Sequence, residues 1–136
     1  MNRIGFLGLN EISESIVKEI YRNAPDTQVF IYPANCSRVQ KLATEYPCWT
    51  LDDSQSVIEE AEIVILSEFH SELNIIYESL KLHSMHTLVS LVLDISINDL
   101  RVFFRHSDCV RMQIVNHEDN LKFIVIITDT NKKFQH

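Results

Sequence analysis

The sequence predicts a doubly wound α/β domain, with a mostly parallel sheet, helices on both faces and an antiparallel edge strand near the C-terminus. Three observations lead there. Apolar runs of strand length alternate with segments of helical period along the whole chain. The run Ile63-Val64-Ile65-Leu66 is continuously apolar and β-branched, as a strand covered on both faces is. The last two strand patterns have no helix between them, so they are expected to pair antiparallel.

The elements follow in order. Arg3 to Leu7 reads as a buried strand, and Ile12, Ile16, Val17 and Ile20 then share one face of a helix that stops near Asn23-Ala24-Pro25. Gln28 to Tyr32 is the second strand, broken by Pro33. Asn35 or Ser37 is positioned to cap the next helix, whose stripe is Val39, Leu42, Ala43 and Tyr46, and Pro47 ends it. A short strand from Cys48 to Leu51 leads to Asp52-Asp53-Ser54, a capping cluster for a brief helix carrying Val57, Ile58 and Ala61. After Ile63 to Leu66 come a helix marked by Leu73, Ile76, Tyr77 and Leu80, and a fifth strand from Thr87 to Leu93. Ser96 caps a helix with Ile97, Leu100, Phe103 and Phe104 inward, and Val110 to Val115 and Phe123 to Ile127 complete the sheet through a polar turn at His117 to Asn120.

The chain has 136 residues, 46% hydrophobic and 23% charged, which fits one globular domain over residues 1–136. With 19 acidic against 12 basic residues and a net charge of -7, it carries no basic stripe, which argues against nucleic acid as a partner. Three cysteines, Cys36, Cys48 and Cys109, show neither a disulfide framework nor CxxC spacing, so a reducing compartment is expected. No segment has signal-peptide character or membrane-spanning length, and the expected location is cytoplasmic, away from the membrane. Of the six histidines, His83 and His86 lie three apart without a Cys or carboxylate to complete a metal site, so no metal is expected. His70 and His117 fall in loops after strands four and six, where a general base is one reading and an exposed loop histidine the other. Cys36, after the second strand, is a reactive thiol if exposed.

The opening Ile4-Gly5-Phe6-Leu7-Gly8-Leu9-Asn10-Glu11-Ile12-Ser13 has the outline of a strand, turn and helix that hold a dinucleotide pyrophosphate on a helix N-terminus. Only Gly8 of the three fingerprint glycines is present, because Asn10 and Ser13 stand at the other two places. Average usage of about 7% would give roughly nine or ten glycines in a chain of this length; this one has two, Gly5 and Gly8. Asn tolerates a left-handed backbone and Ser13 is small, so a phosphate turn stays open as a reading. Glu11 supports the other reading, a plain strand-to-helix turn, since a carboxylate in the first turn competes with a pyrophosphate for the same N–H groups. Pro33 stands where an NAD site places its ribose-binding acid, while Arg38, with Asn35 and Ser37, lies within reach of a 2′-phosphate. If a cofactor binds, NADP is favoured over NAD; no cofactor at all is the competing expectation.

Several motifs, in order, resemble the N-terminal domain of pyrroline-5-carboxylate reductases and the related deazaflavin-dependent NADP oxidoreductases, over roughly residues 1 to 116. Ile4-Gly5-Phe6-Leu7-Gly8 is similar to that family's Ile-Gly-Phe-Ile-Gly, and Glu60-Ala61-Glu62-Ile63-Val64-Ile65-Leu66 to its Ala-Asp-Val-Val-Ile-Leu. Ser90, Ile95, Ser96 and Leu100 match its Ser-x-x-x-x-Ile-Ser/Thr-x-x-x-Leu, and Val110-Arg111-Met112 its Val-Arg-Val. The resemblance implies a Rossmann-type fold and NADP. It places Gly8, Leu9, Asn10, Glu11 and Ile12 at the pyrophosphate, Asn35, Ser37 and Arg38 at the adenosine phosphate, and Glu68, Phe69 and Leu93 toward the nicotinamide.

The departures fall on the same loops. Glu11 replaces a frequent Asn, Glu68-Phe69-His70 replaces Val-Lys-Pro, and Val92-Leu93-Asp94 replaces Ala-Ala-Gly. The family's C-terminal helical domain, which completes the substrate site, has no room in this chain, so no catalytic residue is assigned. The expectation is a degenerate member with little or no independent oxidoreductase activity; the alternative is a noncatalytic interaction or regulatory protein that keeps the fold without the cofactor. Without that domain, a homo-oligomer through the C-terminal end of the sheet is expected.

Overall fold

The computed structural model describes residues 2–67, 86–92, 98–100, 108–116 and 123–130. The elements are β1 (Arg3–Leu7), α1 (Glu11–Asn23), β2 (Gln28–Tyr32), α2 (Ser37–Glu45), β3 (Trp49–Thr50), α3 (Ser54–Glu60), β4 (Ile63–Leu66), β5 (Thr87–Ser90), β6 (Asp108–Asn116) and β7 (Phe123–Thr130). They form one sheet in the order β3-β2-β1-β4-β5-β6-β7. β1 to β6 pair in parallel, and β7 runs antiparallel to β6 from Val110↔Thr130 to Asn116↔Phe123, with a register shift between Arg111 and Met112. The order reverses at β1, which has β2 on one side and β4 on the other, and this is the switch point where such sheets open a crevice at their carboxyl ends.

Strand alternation divides the interior into two layers. Phe6, Val29, Ile31 and Ile65 point to one face, where Val17 and Tyr21 of α1 and Val39 and Leu42 of α2 cover them. Leu7, Phe30, Val64, Leu66, Leu88 and Cys109 point to the other, under Val57, Ile58 and Ala61 of α3 and its end, together with Leu100. Helices therefore lie on both faces, as the sequence predicts. Gly5 shows why β1 carries a glycine mid-strand: a Cβ there would stand 2.6 Å from Val57 Cγ1 and 3.0 Å from Ala61 Cβ, so α3 rests directly on the β1 backbone.

The structure differs from the sequence reading in several details. The buried face of α1 is centred on Ser13, Val17 and Tyr21, so Ile16 and Ile20 are only partly buried at its margin, and Ile12, in the first turn, is 42% exposed instead of inward. Neither Asn35 nor Ser37 caps α2. Cys36 is its N-cap and makes no side-chain capping bond; the Cys36 N–H donates to Pro33 O and the Ala34 N–H to Leu51 O, which fix the chain before the helix begins. β3 is shorter than Cys48 to Leu51, and β5 stops at Ser90, whose Oγ accepts from the Val92 N–H at 3.2 Å and turns the chain. β6 and β7 are longer than predicted. Asp53 caps α3 by accepting from the Ser56 N–H, and α1 ends at Ala24, both as predicted. The helix read from Leu73 to Leu80, the Ser96 cap, Phe103, Phe104 and the turn from His117 to Asn120 lie outside the described residues. His86 is a core histidine, its ring Nε2–H donating to Ile58 O at 2.9 Å.

Tyr21 stacks on Tyr46 with ring centroids 5.5 Å apart, and its buried hydroxyl has no hydrogen-bond partner. Burial first, and repulsion by the nearby Cys48 thiolate second, push the phenol up to about 12 from 10.0. A raised folded pKa means the native state keeps a proton that the unfolded chain releases, so this group's contribution is intact below about pH 10 and is lost as the pH rises toward 12. Tyr21→Phe should stabilise the fold by about 1 kcal/mol at neutral pH, through removal of an unsatisfied buried hydroxyl, and by more at pH 11. Urea denaturation at both pH values measures this; a loss of stability in the variant contradicts it.

Candidate nucleotide crevice

The crevice lies at the carboxyl ends of β1, β2 and β4. Gly8 ends β1 with φ 87°, a left-handed conformation suited to glycine, and its N–H donates to Tyr32 O at 2.8 Å, tying the turn to the end of β2. Leu9 is buried in the α1/α2 layer. Asn10 is the N-cap of α1 in a reciprocal capping box: its Oδ1 accepts from the Ser13 N–H at 3.0 Å, and Ser13 Oγ accepts from the Asn10 N–H at 2.8 Å. Its Nδ2 donates to Ser67 O at 3.0 Å, just past the end of β4. One side chain thus spans the switch point from α1 to β4.

A helix start leaves four N–H groups without intrahelical partners. In α1 the capping box satisfies those of Asn10 and Ser13, which leaves the Glu11 and Ile12 N–H groups for a ligand. Both side chains are exposed, and the Glu11 carboxylate stands in the first turn beside them. Asn35, Ser37 and Arg38 are exposed at the start of α2, at the same end of the sheet. Arg38 is not idle: its Nη1 donates to Glu14 Oε2 at 3.4 Å, and Lys18 Nζ stands 4.0 Å from the same oxygen. The fold therefore brings Gly8 to Ile12 together with Asn35 to Arg38, while Glu68, Phe69 and Leu93 lie outside the described residues.

Two participants escaped the sequence reading. Ser67 supplies the carbonyl that holds Asn10, and its own buried hydroxyl has no partner. The only signal for it was its place as the first polar residue after an apolar strand. Glu14 neutralises Arg38, and its i,i+4 spacing to Lys18 marked it as a paired acid. As a host for a pyrophosphate the arrangement fits in part: two N–H groups and an arginine are in place, but the Asn10 side chain occupies the approach that the fingerprint leaves to a glycine backbone. Among the described residues no three metal-ligating side chains come together, and no helix is long and apolar enough to cross a membrane.

Comparison with solved structures gives the same fold. A 1-pyrroline-5-carboxylate reductase from Streptococcus pyogenes superposes with a TM-score of 0.66 at 18% identity, covering 82% of this chain and 42% of the reductase. An imine reductase from Pseudomonas sp. gives 0.67 at 14% identity, over 85% of this chain and 42% of that one. A reductive aminase from Aspergillus terreus in complex with NADPH gives 0.66 at 10% identity, over 88% and 43%. This chain thus spans less than half the length of each. Comparison with curated proteins gives no match. The family model described as NADP oxidoreductase, coenzyme F420-dependent, matches residues 3–94. With more than half of its length matched in this way, the chain belongs to the coenzyme F420-dependent NADP oxidoreductase family.

Proposed function

We propose that this chain is a degenerate NADP-binding domain of its family: the chain's own side chains partly occupy the nucleotide crevice, nucleotide binds weakly, and there is little or no independent oxidoreductase activity. The observation that supports this reading is the Asn10 bridge, which joins the Ser13 N–H to the Ser67 carbonyl across the switch point. The Glu14–Arg38 pair acts in the same direction, since a 2′-phosphate gains Arg38 only by displacing a carboxylate. Displacing the Asn10 bridge forfeits hydrogen bonds worth about 0.5–1.5 kcal/mol each.

Thermal stability with and without millimolar NADPH tests this, because a ligand at 100 times its Kd adds about 2.7 kcal/mol. The natural chain should show little shift. Asn10→Gly, which removes both bonds of the bridge, should bind NADPH about tenfold more tightly. A wild-type shift as large as that of the variant overturns the proposal. The second reading, a noncatalytic interaction or regulatory protein without any cofactor, draws on the same filled turn and on Pro33 at the ribose position. It stands if neither wild type nor Asn10→Gly responds to NADPH or NADH.

A further inference from the structure

At the opposite, amino end of the sheet, on the α3 face, a groove of about 390 Å³ opens between β1, β2, β3 and the end of α3. Its floor is aromatic. Phe30 and Trp49 face each other across β2 and β3 in register, with ring centroids 6.4 Å apart and planes 19° from parallel. Trp49 is 58% exposed, the largest exposed apolar side chain among the described residues. The Arg3 guanidinium lies 5.3 Å from the Phe30 centroid and is held there by an ion pair with Glu60. The groove therefore already contains one planar cation resting on an aromatic face.

Glu59 is the unexplained member. It lines the groove, is exposed, and has no ion-pair partner among the described residues. It sits in the last turn of α3, where no basic residue is present and where a carboxylate is repelled by the negative end of the helix dipole. Glu60 next to it is accounted for by Arg3; nothing in the helix accounts for Glu59. Two carboxylates against one guanidinium, over an open indole and on a chain of net charge -7, favour a cation over an anion or a neutral ring.

We propose that this groove binds a small planar organic cation of the guanidinium or amidinium class, stacked on Trp49 and paired with Glu59. Its volume lies within the range of small-molecule sites, about 300–1,000 Å³. The site lies at the far end of the strands from the nucleotide crevice and does not depend on it.

Trp49 is the single tryptophan of the chain, so its indole N–H gives one resolvable signal in a ¹H–¹⁵N spectrum. Benzamidine should shift that signal saturably, while the neutral isostere benzamide and the anion benzoate should not. Glu59→Gln should weaken benzamidine about three- to fivefold, the worth of an exposed ion pair, and should raise the melting temperature slightly through relief of the dipole clash. Opposite signs for binding and stability separate a ligand role from a structural one. The proposal is overturned if benzamide matches benzamidine, if no saturation occurs, or if Glu59→Gln binds equally well. A Gly-Arg-Gly amide that binds tenfold more tightly than benzamidine also overturns it, by assigning the groove to an arginine carried on a protein.

Discussion

Phe6→Ala is expected to lose about 3–5 kcal/mol of folding stability, seen as a fall in the urea midpoint at unchanged slope. Phe6 is fully buried on β1, an inner strand, and the register sets it beside Ile31 of β2 and Ile65 of β4, beneath the α1/α2 layer. Truncation leaves a cavity walled on both sides by strands that cannot close over it, and the loss is a large part of a typical total of about 5–15 kcal/mol. Phe6→Leu, which keeps most of the volume, should cost less than about 1.5 kcal/mol. A Phe6→Ala loss no larger than that of Phe6→Leu would contradict the assignment of Phe6 to the core.

Gly5→Ala should cost about 1–3 kcal/mol even though it adds a single methyl group. The added Cβ meets Val57 Cγ1 at 2.6 Å, and Val57 is itself fully buried with a stiff β-branched side chain. Either α3 lifts from β1 or Val57 leaves its rotamer. Gly5→Ala combined with Val57→Ala should therefore be more stable than the sum of the single losses implies, by at least about 0.5 kcal/mol. Additive losses in a double-mutant cycle would show that the clash lies elsewhere.

Most of the fold is legible in the sequence because its signals are local and redundant. Ile63 to Leu66 reads as a doubly covered strand from its own composition, Asp53 marks a helix start, and the missing crossover before β7 makes that strand antiparallel. Two of the connections depend on bonds to distant residues. Ala34 is held by Leu51 and Gly8 by Tyr32, and no pattern within either segment reports such partners. The crevice was legible as a place but not as a state. Asn10 reads in sequence as a substitute glycine, whereas its effect comes from Ser67, 57 residues away. Arg38 likewise reads as a cation within reach of a phosphate until Glu14, 24 residues away, is seen to hold it.

The division of the interior by β1 also bears on how the chain assembles. Among the described residues, the buried part of the layer under α1 and α2 runs from Phe6 to Ile65, with Val89 and Leu91 at its margin, whereas the buried part of the layer under α3 runs from Leu7 as far as Cys109. Closing the first layer brings together shorter spans of chain and carries the smaller loop-entropy cost. The crevice end of β1 and β2 is thus framed by the half of the molecule that is topologically cheapest to form, and β5 and β6 join an edge that β4 has already supplied.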